Sequence, residues 1–249
     1  MAADRVKVKT PAEYWDGSAP AWLALMERGD LNRKLVIDPA MLRLAGDVRG
    51  RLVCDVGCGE GRFCRMLAER GAKTVGIEPT GALLQAAAGQ SVAGSGLYAR
   101  GDGIAIPVAS DAFDLVVCYL VLIDILDYRA AIGEIVRIVK PSGRILIANM
   151  NSFCTTVPDP WIRDENGRPR SLVVDDYFSE RADVVAWAGI EIVNYHRPFS
   201  DYMAAFLGRG LRLEAFEEPA PTPEAIAEFP RIESAGRIPV FHVMLWRKV

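Results

Sequence analysis

Gly57, Gly59 and Gly61 stand at alternate positions, with Asp55 two residues before the first and Arg62 directly after the last. Glycines so spaced strip the side chains from a turn. A backbone without Cβ atoms reaches positive φ and lies directly against a ligand. The apolar run Leu52, Val53, Cys54 and Val56 in front of the turn reads as a strand covered on both faces. A helix opening directly after the turn points its free N–H groups back at the same place, which suits a polar or anionic group. The chemistry implied is the binding of a nucleotide-like cofactor.

A nicotinamide dinucleotide is the first candidate to test. Its fingerprint is G-x-G-x-x-G, and here Arg62 occupies the place of the third glycine. Asp55 beside the turn would repel a pyrophosphate and attract a cation. These two residues disfavour an NAD-dependent enzyme and favour a ligand with a positive group. Two further acids follow apolar runs in the same manner: Glu78 after 74–77, and Asp102 between Gly101 and Gly103 after 97–100. In an open parallel sheet ligands bind at the carboxyl ends of the strands, so the three acid-bearing loops would face one site.

The elements that must position these residues alternate. Strands are expected at 52–56, 74–77, 97–100, 114–119 and 144–149, with helices at 60–70, 81–88 and 129–139 and a turn at Pro141-Ser142-Gly143. That order argues for a parallel sheet with helices on both faces. Before it, 20–26 is helix-compatible, and Asp38-Pro39 starts a helix within 35–44. After it, 151–197 breaks the pattern and reads as a cap with strand-like runs at 172–174 and 190–193. A helix at 199–207, a strand at 211–216, a helical piece near 225–229 and a strand at 240–246 complete the chain.

The 249 residues suffice for one large α/β domain. A net charge of −3 without a basic stripe excludes an obvious nucleic-acid partner. No run reaches the length of a membrane span, and residues 1–10 lack an apolar signal-peptide core. The five cysteines, Cys54, Cys58, Cys64, Cys118 and Cys154, are odd in number and do not read as a disulfide framework. With two histidines and no second cysteine pair, no metal site is expected. The setting expected is cytoplasmic.

Five ordered stretches resemble the class I S-adenosylmethionine-dependent methyltransferases. Asp-Val-Gly-Cys-Gly-Glu-Gly at 55–61 is similar to the family's first motif, and Val75-Gly76-Ile77-Glu78-Pro79 to its second. Gly101-Asp102-Gly103 resembles the adenine-contacting segment. Phe113-Asp114-Leu115-Val116-Val117 and 139–146 resemble the signatures around the fourth and fifth strands. The likeness covers residues 30–150 and weakens beyond. It implies a Rossmann-like doubly wound α/β sheet of seven mostly parallel strands with an antiparallel last strand. It also implies S-adenosyl-L-methionine as cofactor, with S-adenosyl-L-homocysteine as product. By the same likeness Asp55 supports the methionine amino end, and Gly57, Cys58, Gly59 and Gly61 form the turn. Glu78, with Pro79, receives the ribose hydroxyls. Asp102, with Gly103, meets the adenine amine. Tyr119 and Leu120 border the methionine part. Arg33 is a candidate to meet the cofactor carboxylate, with an exposed helix arginine as the equal alternative. The chain is then a single methyltransferase domain over 1–249, with an N-terminal helical lid (1–45), a cofactor-binding core (46–150), a cap insertion (151–197) and a C-terminal part of the core (198–249).

Methyl transfer from a cationic leaving group takes much of its rate from in-line positioning, and a base serves only where the nucleophile must lose a proton. His196, in Asn194-Tyr195-His196-Arg197-Pro198, and Tyr202 behind it are the catalytic candidates. A histidine beside a proline turn is equally suited to a structural hydrogen bond, and His242 in the last strand reads as packed. Tyr14, Trp15, Trp22, Trp161, Tyr177 and Trp187 are candidates for the acceptor pocket, with core packing as the competing reading. The segment 195–202, followed by Glu217-Glu218-Pro219, is similar to small-molecule methyltransferases of the ubiquinone/menaquinone-biosynthesis type. Where many members carry a histidine pair after the fourth strand, this chain has Leu122-Ile123-Asp124, which leaves the acceptor unassigned. The expected partner is a small molecule, with no nucleic acid or membrane, and the chain is expected to be a monomer or homodimer. The alternative function is a catalytically silent S-adenosylmethionine-binding module that supports a partner.

Overall fold

Strand β1 (Leu52–Val56) lies inside a seven-stranded sheet because, Asp55 apart, both of its faces are apolar. Val53 packs into one apolar layer, while Cys54 and Val56 pack into the other. The structure is a computed structural model that describes residues 9–90 and 96–249. The first eight residues of the stretch read above as lacking a signal-peptide core lie outside the described residues.

In chain order the elements are α1 (Pro11–Arg28), a π-helical turn at Arg33–Ile37, α2 (Asp38–Ala45), β1, α3 (Arg62–Ala68), β2 (Lys73–Glu78) and α4 (Gly81–Gly89). Then come β3 (Leu97–Arg100), β4 (Phe113–Tyr119), α5 (Tyr128–Ile138) and β5 (Val139–Met150). The cap holds β6 (Trp161–Arg163), β7 (Pro169–Leu172), β8 (Arg181–Trp187) and β9 (Ile190–His196). The chain ends with α6 (Phe199–Leu207), β10 (Leu211–Glu217), α7 (Pro223–Glu228) and β11 (Phe241–Lys248).

The strand order is β10-β11-β5-β4-β1-β2-β3. β3, β2, β1, β4 and β5 run parallel, and β11 is antiparallel to both β5 and β10. This is the seven-stranded sheet with an antiparallel last strand that the resemblance implies. The order reverses between β1 and β4, so the crevice for a ligand opens beyond the carboxyl ends of those two strands. Ile132 and Ile135 of α5 and Phe206 of α6 cover one face, and Met41 of α2 with Phe63 and Leu67 of α3 cover the other.

Three elements differ from the expectation. Helix α1 begins well before residue 20: Thr10 and Glu13 form a capping box, Pro11 opens the first turn, and the helix continues through Pro20. Pro20 and Asp16, whose carbonyl loses its partner, are both exposed, so water satisfies the break. The Pro141-Ser142-Gly143 turn lies within β5 as an irregularity. Phe113 pairs with Val139, Leu115 pairs with Arg144, and Ser142 has φ +60°. The cap forms two separate hairpins, β6–β7 and β8–β9. In the second, Trp187 pairs with Ile190 around Ala188 (φ +49°) and Gly189 (φ +83°), the paired positive φ of a tight hairpin turn.

Helix α1 is packed onto the rest of the molecule. Ala19 and Trp22 of α1 share an apolar cluster with Leu83 of α4 and with Ile190 and Ile192 of β9. The Ser18 hydroxyl donates to the Glu191 carbonyl and accepts from the Glu191 N–H, at 2.8 and 2.9 Å. Among the described residues no helix is long and apolar enough to cross a membrane.

Candidate active site

The turn after β1 adopts the conformation that its glycines allow. Gly57 has φ +71°, and a Cβ there would meet the Val121 side chain at 2.5 Å. Gly59 has φ +56°, and a Cβ there would have only the Trp22 indole nitrogen near it, at 3.8 Å. The first position is closed by packing and the second opens on a cavity of about 460 Å³. Asp55, Gly57, Cys58 and Gly59 line that cavity from β1 and its turn, Glu78 and Pro79 from the end of β2, and Asp102 and Gly103 from the loop after β3. Tyr119 and Leu120 close it from the end of β4, and Arg33 from the π-helical turn. Gly61 stands outside the lining. It caps α3 in the left-handed conformation, and a Cβ there would meet the Tyr98 hydroxyl at 2.5 Å.

The acids of this cavity are held in different ways. Asp55 is 2 % exposed. Its Oδ2 accepts from the Cys64 thiol at 3.6 Å, while Oδ1 has no partner. Burial pushes its carboxyl up to about 7, against the opposing thiol bond and the nearby Arg33 and Arg62 charges. Glu78 accepts the Gly59 N–H at 3.0 Å and the Thr80 N–H at 2.9 Å, one on each oxygen. Burial raises its pKa as well, opposed by those two backbone donors. Asp102 accepts the Ile104 N–H at 3.2 Å at the cavity edge.

The opposite wall is cationic and aromatic. The Arg33 guanidinium lies over Trp22 at 5.0 Å and over Tyr119 at 4.7 Å. Its buried Nε makes no hydrogen bond, although Asp30 Oδ2 lies 3.5 Å away. Asp38, at the start of α2, accepts the Arg62 fork at 2.7 and 2.9 Å and the Tyr119 hydroxyl at 2.8 Å. Arg62, read in the sequence only as a missing glycine, thus ties the N-terminal segment to α3 and β4. Glu60 does the same for the lid, accepting the Trp22 indole N–H at 2.8 Å.

A second cavity of about 540 Å³ adjoins the first beneath the cap and shares Trp15, Trp22, Arg33, Leu120 and Asp124 with it. Trp161 and Trp187 line its cap side, and Met150 and Phe241 its core side. Of the acceptor-pocket candidates, Trp15, Trp22 and Trp161 are here, whereas Tyr14 and Tyr177 line neither cavity. Tyr177 instead accepts the Phe199 N–H through its hydroxyl, at 3.0 Å. His196 reaches the second cavity with both ring nitrogens engaged, Nδ1 with the Thr155 hydroxyl and Nε2 with the Tyr177 carbonyl, each at 2.8 Å. The carbonyl can only accept, so Nε2 carries a proton, while the single Thr155 hydroxyl proton is shared between Nδ1 and the Ser152 carbonyl, 2.9 Å away. Burial lowers the pKa of this imidazole, opposed by the carbonyl bond. Tyr202 lines neither cavity and accepts from Arg197 at 3.0 Å. Among the described residues no three metal-ligating side chains gather into a possible metal site.

Asp124 is the acid that the sequence did not single out for chemistry. It follows β4, where its Oδ1 accepts the Asn194 amide of β9 at 2.6 Å, and the Trp15 indole of α1 lines the same cavities. Burial pushes it up to about 8, against Asn194, Trp15 and the Arg33 charge, with Glu78 adding to the rise.

Known proteins share this framework. Residues 54–147 match a family model described as a methyltransferase domain. An uncharacterised methyltransferase of Mycobacterium leprae is 31% identical over 99 residues, which are 40% of this chain and 37% of that protein. A ubiquinone biosynthesis O-methyltransferase of Alkalilimnicola ehrlichii is 32% identical over 110 residues, 43% of this chain and 44% of that protein. The chain therefore spans about two-fifths of the length of these curated relatives. An S-adenosylmethionine-dependent methyltransferase from Mesorhizobium loti, solved by crystallography, superposes with a TM-score of 0.77 at 25% identity, over 88% of this chain and 99% of that one.

Proposed function

We propose that this chain, whose residues 54–147 match a methyltransferase-domain model, is a class I S-adenosylmethionine-dependent methyltransferase that transfers a methyl group from that cofactor to a small-molecule acceptor. What supports this most is the pair of cavities that meet at Leu120 and Asp124, one lined by the glycine turn and its acids, the other by tryptophans of the lid and cap.

The first cavity fits a zwitterionic, phosphate-free cofactor. Asp55 Oδ1 and Arg33 Nε are buried without hydrogen-bond partners, an acceptor and a donor of opposite charge. An α-amino acid end complements both: Asp55 would take its ammonium and Arg33 its carboxylate. The Glu78 oxygens each spend one acceptor position on a backbone N–H and keep another for a ribose hydroxyl. Asp102 would accept from the adenine amine. When bound, S-adenosylmethionine supplies a methyl on a cationic sulfur. The chain then has to orient the acceptor and exclude water, and α1 and the β8–β9 hairpin cover the site for that purpose.

The test is transfer itself. Methyl-labelled S-adenosylmethionine is incubated with the protein and a library of small acceptors, and product is followed as labelled organic extract and as S-adenosylhomocysteine released. Label in an acceptor supports the reading. Tight cofactor binding with no label moved to any acceptor would favour the silent-module alternative.

A further inference from the structure

We infer that the acceptor is a flat, apolar molecule bearing a hydroxyl or amine nucleophile, and that Asp124 is the catalytic residue that takes its proton. The inference rests on the proposed methyl transfer and assigns the acceptor side of the same site. Asp124 is the one acid, among the described residues, that lines both cavities. It is deeply recessed yet keeps some accessible surface, so it faces the cavities without being sealed. Around it the second cavity offers the indoles of Trp15, Trp22, Trp161 and Trp187, surfaces against which a flat apolar body stacks.

The other titratable side chains at this junction are committed elsewhere. His196 has both nitrogens hydrogen-bonded, and the Tyr119 hydroxyl donates to Asp38. A carboxylate accepts up to about four hydrogen bonds. Asp124 spends one acceptor position on Asn194, which leaves room for an acceptor proton. That donor comes from β9, so the carboxylate is oriented only when the β8–β9 hairpin is docked. Asn194 is thereby a positioning residue. In the reaction the acceptor X–H proton passes to the Asp124 carboxylate and the freed lone pair forms the X–CH3 bond. The S–CH3 bond breaks with its electron pair left on sulfur, and Asp124 later releases the proton to water.

The groups facing Asp124 set the pH dependence. Asn194 of β9, Trp15 of α1 and Arg33 favour the carboxylate, while burial and Glu78 disfavour it. The experiment uses full-length protein saturated with S-adenosylhomocysteine, titrated calorimetrically with two probe series, 4-alkylphenols and 4-alkylbenzylamines, from pH 6 to 9. The expected result is binding of at least one series, tightening as pH rises through about 8, where Asp124 ionises. The two series separate a hydroxyl from an amine acceptor. Asp124→Asn should weaken that binding at least tenfold and flatten its pH dependence, leaving S-adenosylhomocysteine affinity within about twofold. Asn194→Ala should keep the pH dependence but move it upward, because a donor to the carboxylate is lost. Turnover of any labelled acceptor should fall about 100-fold or more in Asp124→Asn. Binding of neither series, or an Asp124→Asn protein that keeps the pH dependence, overturns the inference. Failure to bind S-adenosylhomocysteine at all would instead overturn the underlying function.

Discussion

Replacing Asp55 by asparagine should make the ligand-free protein more stable and the cofactor site worse. Asp55 is 2 % exposed, and its carboxyl is pushed from 3.8 up to about 7 by burial. An acid whose folded pKa is raised binds more protons in the native state than in the unfolded state. Its contribution therefore lowers stability as pH climbs from about 4 to about 7, and the penalty is complete above that. At about 1.4 kcal/mol per pH unit, the ionised form costs about 4 kcal/mol at pH 8. The amide removes that penalty but leaves its own buried NH2 without a clear acceptor, a cost of about 1–3 kcal/mol. The net expectation is a gain of about 1–3 kcal/mol at pH 8, falling to nothing near pH 5, where the wild-type carboxyl is already protonated. Cofactor binding should move the other way. Loss of a charge-assisted bond to an ammonium is worth about 1.5–3 kcal/mol, or roughly ten- to hundredfold in affinity. Urea unfolding of both proteins from pH 5 to 8, with calorimetry of S-adenosylhomocysteine at pH 8, reads both effects. An Asp55→Asn protein that is less stable at pH 8 and binds the ligand normally would refute the reasoning.

Gly59→Val should abolish cofactor binding, because the new side chain enters the cavity beside the Trp22 indole, and should also lower stability, because a β-branched residue is strained at φ +56°; undiminished affinity would exclude the turn as the site. Glu78→Gln keeps the shape but opposes one backbone N–H with an NH2 group and removes the charge facing the ribose. Affinity should fall roughly ten- to hundredfold by calorimetry, with a change under about 2 kcal/mol in urea stability. His196→Ala should leave cofactor affinity unchanged, lower turnover and loosen the cap, since it removes the link between Thr155 and the Tyr177 carbonyl. Faster limited proteolysis within 151–197 is the measurement, and a cap as resistant as wild type would count against that role.

The core of the fold was legible because its signals are local. The run 52–56, its glycine turn and Glu78 at the end of the next strand are written in consecutive residues, and each lies where the spacing puts it. Helix α1 was read too short because Pro20 resembles a helix breaker until its exposed face is known. The remaining links join residues distant in sequence. Asp38 looked like a helix start, and its pairing with Arg62 spans 24 residues. Asp124 looked like a departure from a family pattern, and its bond to Asn194 spans 70. Nothing in local periodicity encodes such pairings, and the β6–β7 hairpin is too short to carry a strong alternation of its own.

The central claim is that the β1 turn with Asp55 and Glu78 selects a cationic, phosphate-free cofactor. Calorimetric titration of the wild-type protein with S-adenosylmethionine, S-adenosylhomocysteine and NAD tests it most directly. The account predicts one site for each methionine cofactor, weakening as pH falls below about 7, where Asp55 takes up a proton, and no binding of NAD. Binding of NAD with neither methionine cofactor bound would contradict it.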